Sequence, residues 1–331
     1  MIRPADNTIA LITVLPTLSE IESAASLVHA LLAPTPQFEW PLLSERCGAT
    51  VVVKHENHTS VGAFKIRGGI VYMDQLVRED PSVRGIVSAT RGNHGQSLAV
   101  AAKRHNISVA IVVPRGNSSE KNAAMRALGA ELIEEGHDFQ AASEAAARIA
   151  MERGWHRVPS FDMALVKGVA TYSLELFRER PDLDMLYVPI GLGSGICGAI
   201  AARDALGVKT QIVGVVSSGA PAYALSMQAR QPVAHDVTTE LADGMACRIP
   251  VPAALEAILA GAERIVEVTD DEVAAAMRAY FSDTHNIAEG AGAAALAAVL
   301  KERNLIADKK VGIVLSGGNV DRAIFAKVIA A

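Results

Sequence analysis

The sequence has few cysteines, no excess of basic residues and no long apolar run, and each shortage removes a class of protein. Its three cysteines, Cys47, Cys197 and Cys247, are odd in number and far apart. Such a set fits reduced thiols in a cytoplasmic protein better than a disulfide framework. Lys and Arg total 31 against 36 Asp and Glu, a formal charge of −5. A nucleic-acid binder usually carries a basic excess, so none is expected as a partner. No stretch approaches the roughly 18 to 20 apolar residues of a membrane span. Residues 1–16 hold one arginine, an early aspartate and a short apolar run stopped by Pro16, unlike a secretory signal. What remains is a chain of 331 residues, half hydrophobic and one-fifth charged, enough for about two domains of an enzyme.

The hydrophobic pattern changes period along the chain. Thr17-x-x-Glu20 reads as a capping box that opens a helix through Ile21, Ala24, Leu27, Val28 and Leu31, ended by Pro34 and Pro36. Short β-branched or apolar runs at 50–53, 85–88, 109–113, 185–189, 211–216 and 311–315 read as buried strands. Between them the spacing predicts helices over 96–105, 120–128, 141–152, 195–206, 272–281 and 288–301. This alternation implies an α/β fold of parallel sheets covered by helices. In such sheets ligands lie beyond the carboxyl ends of strands. The informative segments are therefore the loops that follow strands, and four are chemically unusual.

Gly191-Leu192-Gly193-Ser194-Gly195 follows one strand and opens a helix, so its N–H groups either cradle a phosphate or only make a tight turn. Gly193-x-Gly195-x-x-Gly198 also matches a dinucleotide fingerprint, but no Asp or Glu occurs between positions 205 and 235 to hold a ribose. Lys65 stands between Phe64 and Ile66 in a glycine-bracketed segment. A lone lysine is ordinarily a solvated surface residue. Here the apolar flanks would desolvate the ammonium and lower its pKa, as imine formation requires. Asn93, in Thr90-Arg91-Gly92-Asn93-His94, and Ser316, in Ser316-Gly317-Gly318-Asn319, each read alone as a capped turn. Beside a lysine loop and a phosphate cradle they read as ligand contacts.

In these segments the chain resembles the fold-type II pyridoxal-phosphate (PLP) enzymes, within them the threonine/serine dehydratase and serine racemase family. The similarity runs in order from Thr35-Pro36 to Asp321. It includes Lys54-His55-Glu56-Asn57, Phe64-Lys65-Ile66-Arg67-Gly68, the Thr90 to His94 loop, the glycine loop, Glu289-Gly290-Ala291-Gly292-Ala293 and Ser316-Gly317-Gly318-Asn319. The resemblance implies two open, mostly parallel three-layer sheets, with a small domain (77–155) inserted in a large PLP-binding domain (1–76 and 156–331). It implies that Lys65 holds PLP and acts as the base at Cα. Gly191, Leu192, Gly193 and Ser194 would bind the phosphate, Asn93 the ring hydroxyl, and Phe64 would flank the ring. Ser316 would face the pyridine nitrogen, a neutral partner that leaves the ring a weaker electron sink than aspartate would. Thr90, Arg91, Gly92, His94 and Ser160 are the expected substrate-binding residues.

The chain also departs from the family pattern. Arg91 stands where racemases carry a serine acid/base, and a guanidinium cannot act as an ordinary base, so racemisation is disfavoured. Arg91 could instead bind a carboxylate or point to solvent. Val216 replaces the glutamate that begins a divalent-metal site in some relatives, and His55-x-x-His58 has no third ligand nearby, so no metal is expected. Ala63 replaces the usual serine before Phe-Lys, and Ser160 falls where relatives often have asparagine. Residues 238–244 read either as a cofactor contact or as a structural turn. Ten residues follow Asp321, so a C-terminal regulatory domain is not expected and a catabolic or specialised enzyme is.

The expected activity is loss of water from a β-hydroxy-α-amino acid such as L-threonine or L-serine, giving a 2-oxo acid and ammonia. A dicarboxylic substrate such as 3-hydroxyaspartate is the first alternative; a β-replacement transferase, a racemase and a non-catalytic PLP carrier follow. The partners are a small amino acid and, as is common in the family, further copies of the chain in a homodimer or homotetramer.

Overall fold

The computed structural model describes residues 14–331, so most of the N-terminal stretch read above for a signal lies outside the described residues. Ten strands form two sheets. They are β1 (Gln37–Glu39), β2 (Thr50–His55), β3 (Gly85–Ala89), β4 (Ser108–Val113), β5 (Glu131–Glu134), β6 (His156–Arg157), β7 (Met185–Pro189), β8 (Gln211–Ser217), β9 (Arg264–Val268) and β10 (Lys310–Leu315). The larger sheet has the order β1-β2-β10-β7-β8-β9 and is parallel except for the antiparallel β1–β2 edge. The smaller has the order β5-β4-β3-β6 and is wholly parallel. Its last strand lies just past residue 155.

The central strands of both sheets are buried on both faces, which is why they read as near-continuous apolar runs. Val51 and Val53 face one core with Ala291, Ala294 and Ala298 of the helix Gly290–Lys301. Val52 faces the opposite core with Val169 and Phe177 of the helix Met163–Glu179. The smaller sheet divides likewise: Ile86 and Ile111 pack on one side, Val87 and Val112 on the other. The helix Met163–Glu179 has no counterpart among the expected elements. Twelve of its residues are buried, and a narrow polar stripe of Lys167, Thr171, Glu175 and Arg178 runs along one side. The expected capping box forms at Thr17 with Glu20, and a second forms at Thr269 with Glu272. The first helix nevertheless stops at His29, short of Leu31. The three thiols are buried and unpaired, and burial raises their pKa to about 12 for Cys47, 12 for Cys197 and 11 for Cys247.

One polar network interrupts the cores. Arg67, in the first turn of the helix Lys65–Glu79, is fully buried. Its Nε donates to Glu56 Oε2 at 2.7 Å, Nη1 to Glu175 Oε1 at 2.6 Å and to Thr171 Oγ1 at 3.0 Å, and Nη2 to Thr35 Oγ1 at 3.2 Å. Lys54 Nζ donates to Glu175 Oε2 at 2.5 Å and to the Thr35 carbonyl at 2.9 Å. Two acids thus meet two bases, and the guanidinium's donors are all engaged.

Removing one partner from such a cluster leaves an uncompensated buried charge. Arg67→Met should therefore destabilise the fold by about 3–5 kcal/mol in denaturant unfolding; a loss under about 1 kcal/mol would assign the cluster no structural weight. Burial raises the pKa of Glu175, but Arg67 and Lys54 outweigh it and hold the carboxyl at about 2. The folded pKa lies below the ordinary 4.5, so this contribution is complete above about 4.5 and fades as pH falls toward 2. Acid unfolding monitored with and without Glu175→Gln should differ in that window.

Candidate active site

The ends of three neighbouring strands, β2, β10 and β7, supply three of the four unusual loops, and β3 of the smaller sheet supplies the fourth. The segment before Lys65 is zipped to the loop after β10. Ala63 bridges Gly317, Phe64 N–H donates to the Ser316 carbonyl at 3.0 Å, and Gly318 N–H donates to the Gly62 carbonyl at 2.9 Å. Lys65 opens its helix with Nζ 3.3 Å from Ser194 Oγ and 4.8 Å from the centre of the Phe64 ring. Desolvation lowers its pKa to about 8 against the opposing field of Glu289.

The glycine loop joins β7 to the helix Ser194–Leu206. Gly193 has φ +103°, and a Cβ there would lie 2.6 Å from Ala254 Cβ. A Cβ on Gly191 would lie 2.5 Å from the Gly244 carbonyl oxygen. Both positions therefore need glycine. Within residues 238–244, Gly244 packs directly on the glycine loop. The N–H groups of Gly193 and Ser194 have no acceptor among the described residues, which leaves an anion cradle at the helix N-terminus. Strand β8 ends at Ser217, with no acid for a ribose.

On the other side, Thr90 Oγ1 accepts from Gly92 N–H at 3.1 Å and shapes the turn that leads into the helix Asn93–Lys103. Asn93 Nδ2 donates to Glu289 Oε1 at 2.6 Å, and its Oδ1 accepts from Asn319 Nδ2 at 2.8 Å. One Nδ2 hydrogen remains for another acceptor. His94 is buried with Nε2 unpartnered, and burial together with the field of Lys65 lowers its pKa to about 3. Its ring is neutral at physiological pH. Ser316 is buried at the end of β10, and Ser160 Oγ donates to the Ala89 carbonyl at 3.3 Å. Arg91 is exposed; its carbonyl accepts from Asn117 Nδ2 at 3.1 Å, and its guanidinium has no partner among the described residues. His55 and His58 stack at 5.0 Å, with His55 accepting from Trp40 Nε1 and His58 bonded to Asn286.

Three site residues were not singled out in the sequence. Lys121 reaches across from the helix Ser119–Ala127, with Nζ 2.8 Å from Asp243 Oδ2 and 3.5 Å from Glu289 Oε2. Its stem lies on Gly92, where a Cβ would sit 2.6 Å from Lys121 Cδ. Burial raises the Glu289 pKa, partly opposed by Lys121. The motif around Glu289 and the segment 238–244 around Asp243 carried a signal for two of them, without a role for either residue.

The lowered pKa of Lys65 is directly measurable. In the full chain freed of cofactor, labelling of Lys65 by an amine-reactive anhydride should rise with a midpoint near pH 8, against 10.5 for an ordinary lysine. A midpoint above pH 10, read by peptide mass spectrometry, would contradict the desolvated setting.

The chain is 33% identical over 314 residues to an L-threonine ammonia-lyase of Thermotoga maritima, spanning 95% of this chain and 78% of that one. It is 29% identical to an L-threo-3-hydroxyaspartate ammonia-lyase of Saccharomyces cerevisiae, spanning 96% and 97%. The structure of maize serine racemase superposes with a TM-score of 0.89 at 25% identity, covering 96% and 98% of the two chains. The family profile described as pyridoxal-phosphate dependent enzyme matches residues 28–317. A desolvated lysine facing an anion cradle at the carboxyl ends of parallel strands is the arrangement that this cofactor requires, and the chain belongs to the pyridoxal-phosphate dependent enzymes.

Proposed function

We propose that this enzyme eliminates water from a β-hydroxy-α-amino acid, L-threonine or L-serine, and releases a 2-oxo acid and ammonia. The observation that carries the reading is the desolvated Nζ of Lys65 lying 3.3 Å from Ser194 Oγ, at the mouth of the glycine cradle. Bound PLP supplies the electron sink that makes the substrate Cα–H acidic. The residues of the chain do the rest. Lys65 holds the cofactor and, when freed, takes the Cα proton; an amine with a pKa near 8 is well matched to that task. The N–H groups of Gly191, Leu192, Gly193 and Ser194 hold the phosphate. Asn93, with one Nδ2 hydrogen free, would hold the ring hydroxyl, Phe64 would flank the ring, and the Ser316 hydroxyl would serve the ring nitrogen. Thr90, Gly92, His94 and Ser160 border the substrate carboxylate, with the unpartnered His94 Nε2 available to it.

Residues 77–155 act as the small domain and residues 1–76 with 156–331 as the large one. The division is supported by the separate sheets, apart from β6, which pairs with β3 of the smaller sheet although it lies past residue 155. The same reading takes the protein to be a cytoplasmic homodimer or homotetramer.

A dicarboxylic substrate has one specific observation in its favour: the unpaired guanidinium of Arg91 at the loop expected to bind substrate. It is also consistent with the yeast relative. The reaction is tested by incubating the holoenzyme with L-threonine, L-serine and L-threo-3-hydroxyaspartate separately and measuring 2-oxo acid and ammonia. Equal release of both products is expected from threonine or serine, and Lys65→Ala should lower it about a thousandfold or more. Full activity in Lys65→Ala would sink the proposal. Arg91→Gln should spare threonine and suppress 3-hydroxyaspartate if the second reading holds. Equal effects on both would remove Arg91 from substrate choice.

A further inference from the structure

The glycine loop owes its shape to what lies behind it. Tyr223, near the start of the helix Ala222–Ala229, is 1% exposed beneath the loop. Its hydroxyl donates to the Leu192 carbonyl at 2.9 Å and accepts from Val251 N–H at 3.0 Å, at the N-cap of the helix Pro252–Gly261. Because Val251 can only donate, the hydroxyl hydrogen must point at Leu192. The Leu192 carbonyl is thereby drawn toward Tyr223.

In a trans peptide unit the C=O and the following N–H point in opposite directions. A Leu192 carbonyl held by Tyr223 therefore turns the Gly193 N–H away from Tyr223. That N–H has no acceptor among the described residues, and it adjoins Ser194, whose Oγ lies 3.3 Å from Lys65 Nζ. The Cβ position of Gly193 points back, 3.3 Å from Tyr223 Oη. A side chain there would crowd the hydroxyl, and the φ of +103° favours glycine in any case.

We propose that Tyr223 is a positioning residue for phosphate recognition: its hydroxyl fixes the Leu192–Gly193 peptide and so aims the Gly193 N–H into the cradle. The inference rests on the reading of the glycine loop as the phosphate site. A merely structural role would affect every ligand of the cleft alike, whereas a positioning role acts only on ligands that carry a phosphate.

The test compares PLP with pyridoxal, which lacks the phosphate, on the full chain freed of cofactor. Dissociation constants come from absorbance titration of the wild type and of Tyr223→Phe. The variant should bind PLP about tenfold more weakly, the loss of one buried hydrogen bond, with pyridoxal affinity unchanged. Parallel weakening of both ligands, or no change in either, would overturn the inference. If the wild type itself shows no preference for PLP over pyridoxal, the phosphate reading of the loop fails first, and the inference falls with it. Should Tyr223→Phe fail to fold, fluorotyrosine placed at position 223 provides the second variant, since it keeps the side chain and changes only the acidity of its hydroxyl. A change in PLP affinity with pyridoxal affinity unaffected is expected, and its absence counts against the proposal.

Discussion

Everything at the candidate site depends on where Arg67 sits. It follows Lys65 by two positions in the same helical turn, and its guanidinium is anchored to Glu56, Glu175, Thr171 and Thr35. These partners come from separate parts of the chain, including the end of β2 and the helix Met163–Glu179. A buried ion cluster adds little net stability over an apolar core, but its geometry is unforgiving once formed. The helix that carries Lys65 can neither slide nor rotate without unpairing buried charge. The lysine is aimed by an arginine that never touches the site.

A second charged cluster joins the two sheets. Lys121 arrives with the smaller sheet, Asp243 and Glu289 belong to segments packed on the larger, and Asn93 completes the group through Glu289. The helix that bears Lys121 is held again at its start, where Ser118 donates to Asp321 and the Arg322 N–H donates to Glu120 Oε1 at 3.1 Å. The two bodies also meet through apolar packing, with Tyr72, Met73 and Leu76 in one core with Leu98 and Ala102. The charge balance inside the cleft is set by residues from both sides.

Much of this was legible in the sequence because the relevant residues lie in short loops directly after strands. Lys65, Asn93, the glycine loop and Ser316 could each be picked out locally, and the strands themselves are short and apolar. Lys121 and Asp243 could not. Each is an ordinary charged residue in an ordinary setting, and only the fold brings Lys121 to 2.8 Å from Asp243. Tyr223 was hidden for the same reason. The helix Met163–Glu179 escaped although Lys167, Thr171, Glu175 and Arg178 mark its period, and β6 because two residues carry no pattern. The first helix reads too long because its apolar spacing continues through the closing turn, where the N–H groups of Leu31 and Leu32 both bond the Val28 carbonyl.

The burial of Cys47, Cys197 and Cys247 has a chemical consequence. With thiols held at about 12, 12 and 11, scarcely any thiolate exists at neutral pH, and the thiolate is the form that reacts. Elimination from serine or threonine first releases an unsaturated amino acid, a compound that can add to exposed sulfur. In this chain every thiol lies in an apolar core, so the protein offers its own product no nucleophilic sulfur to capture.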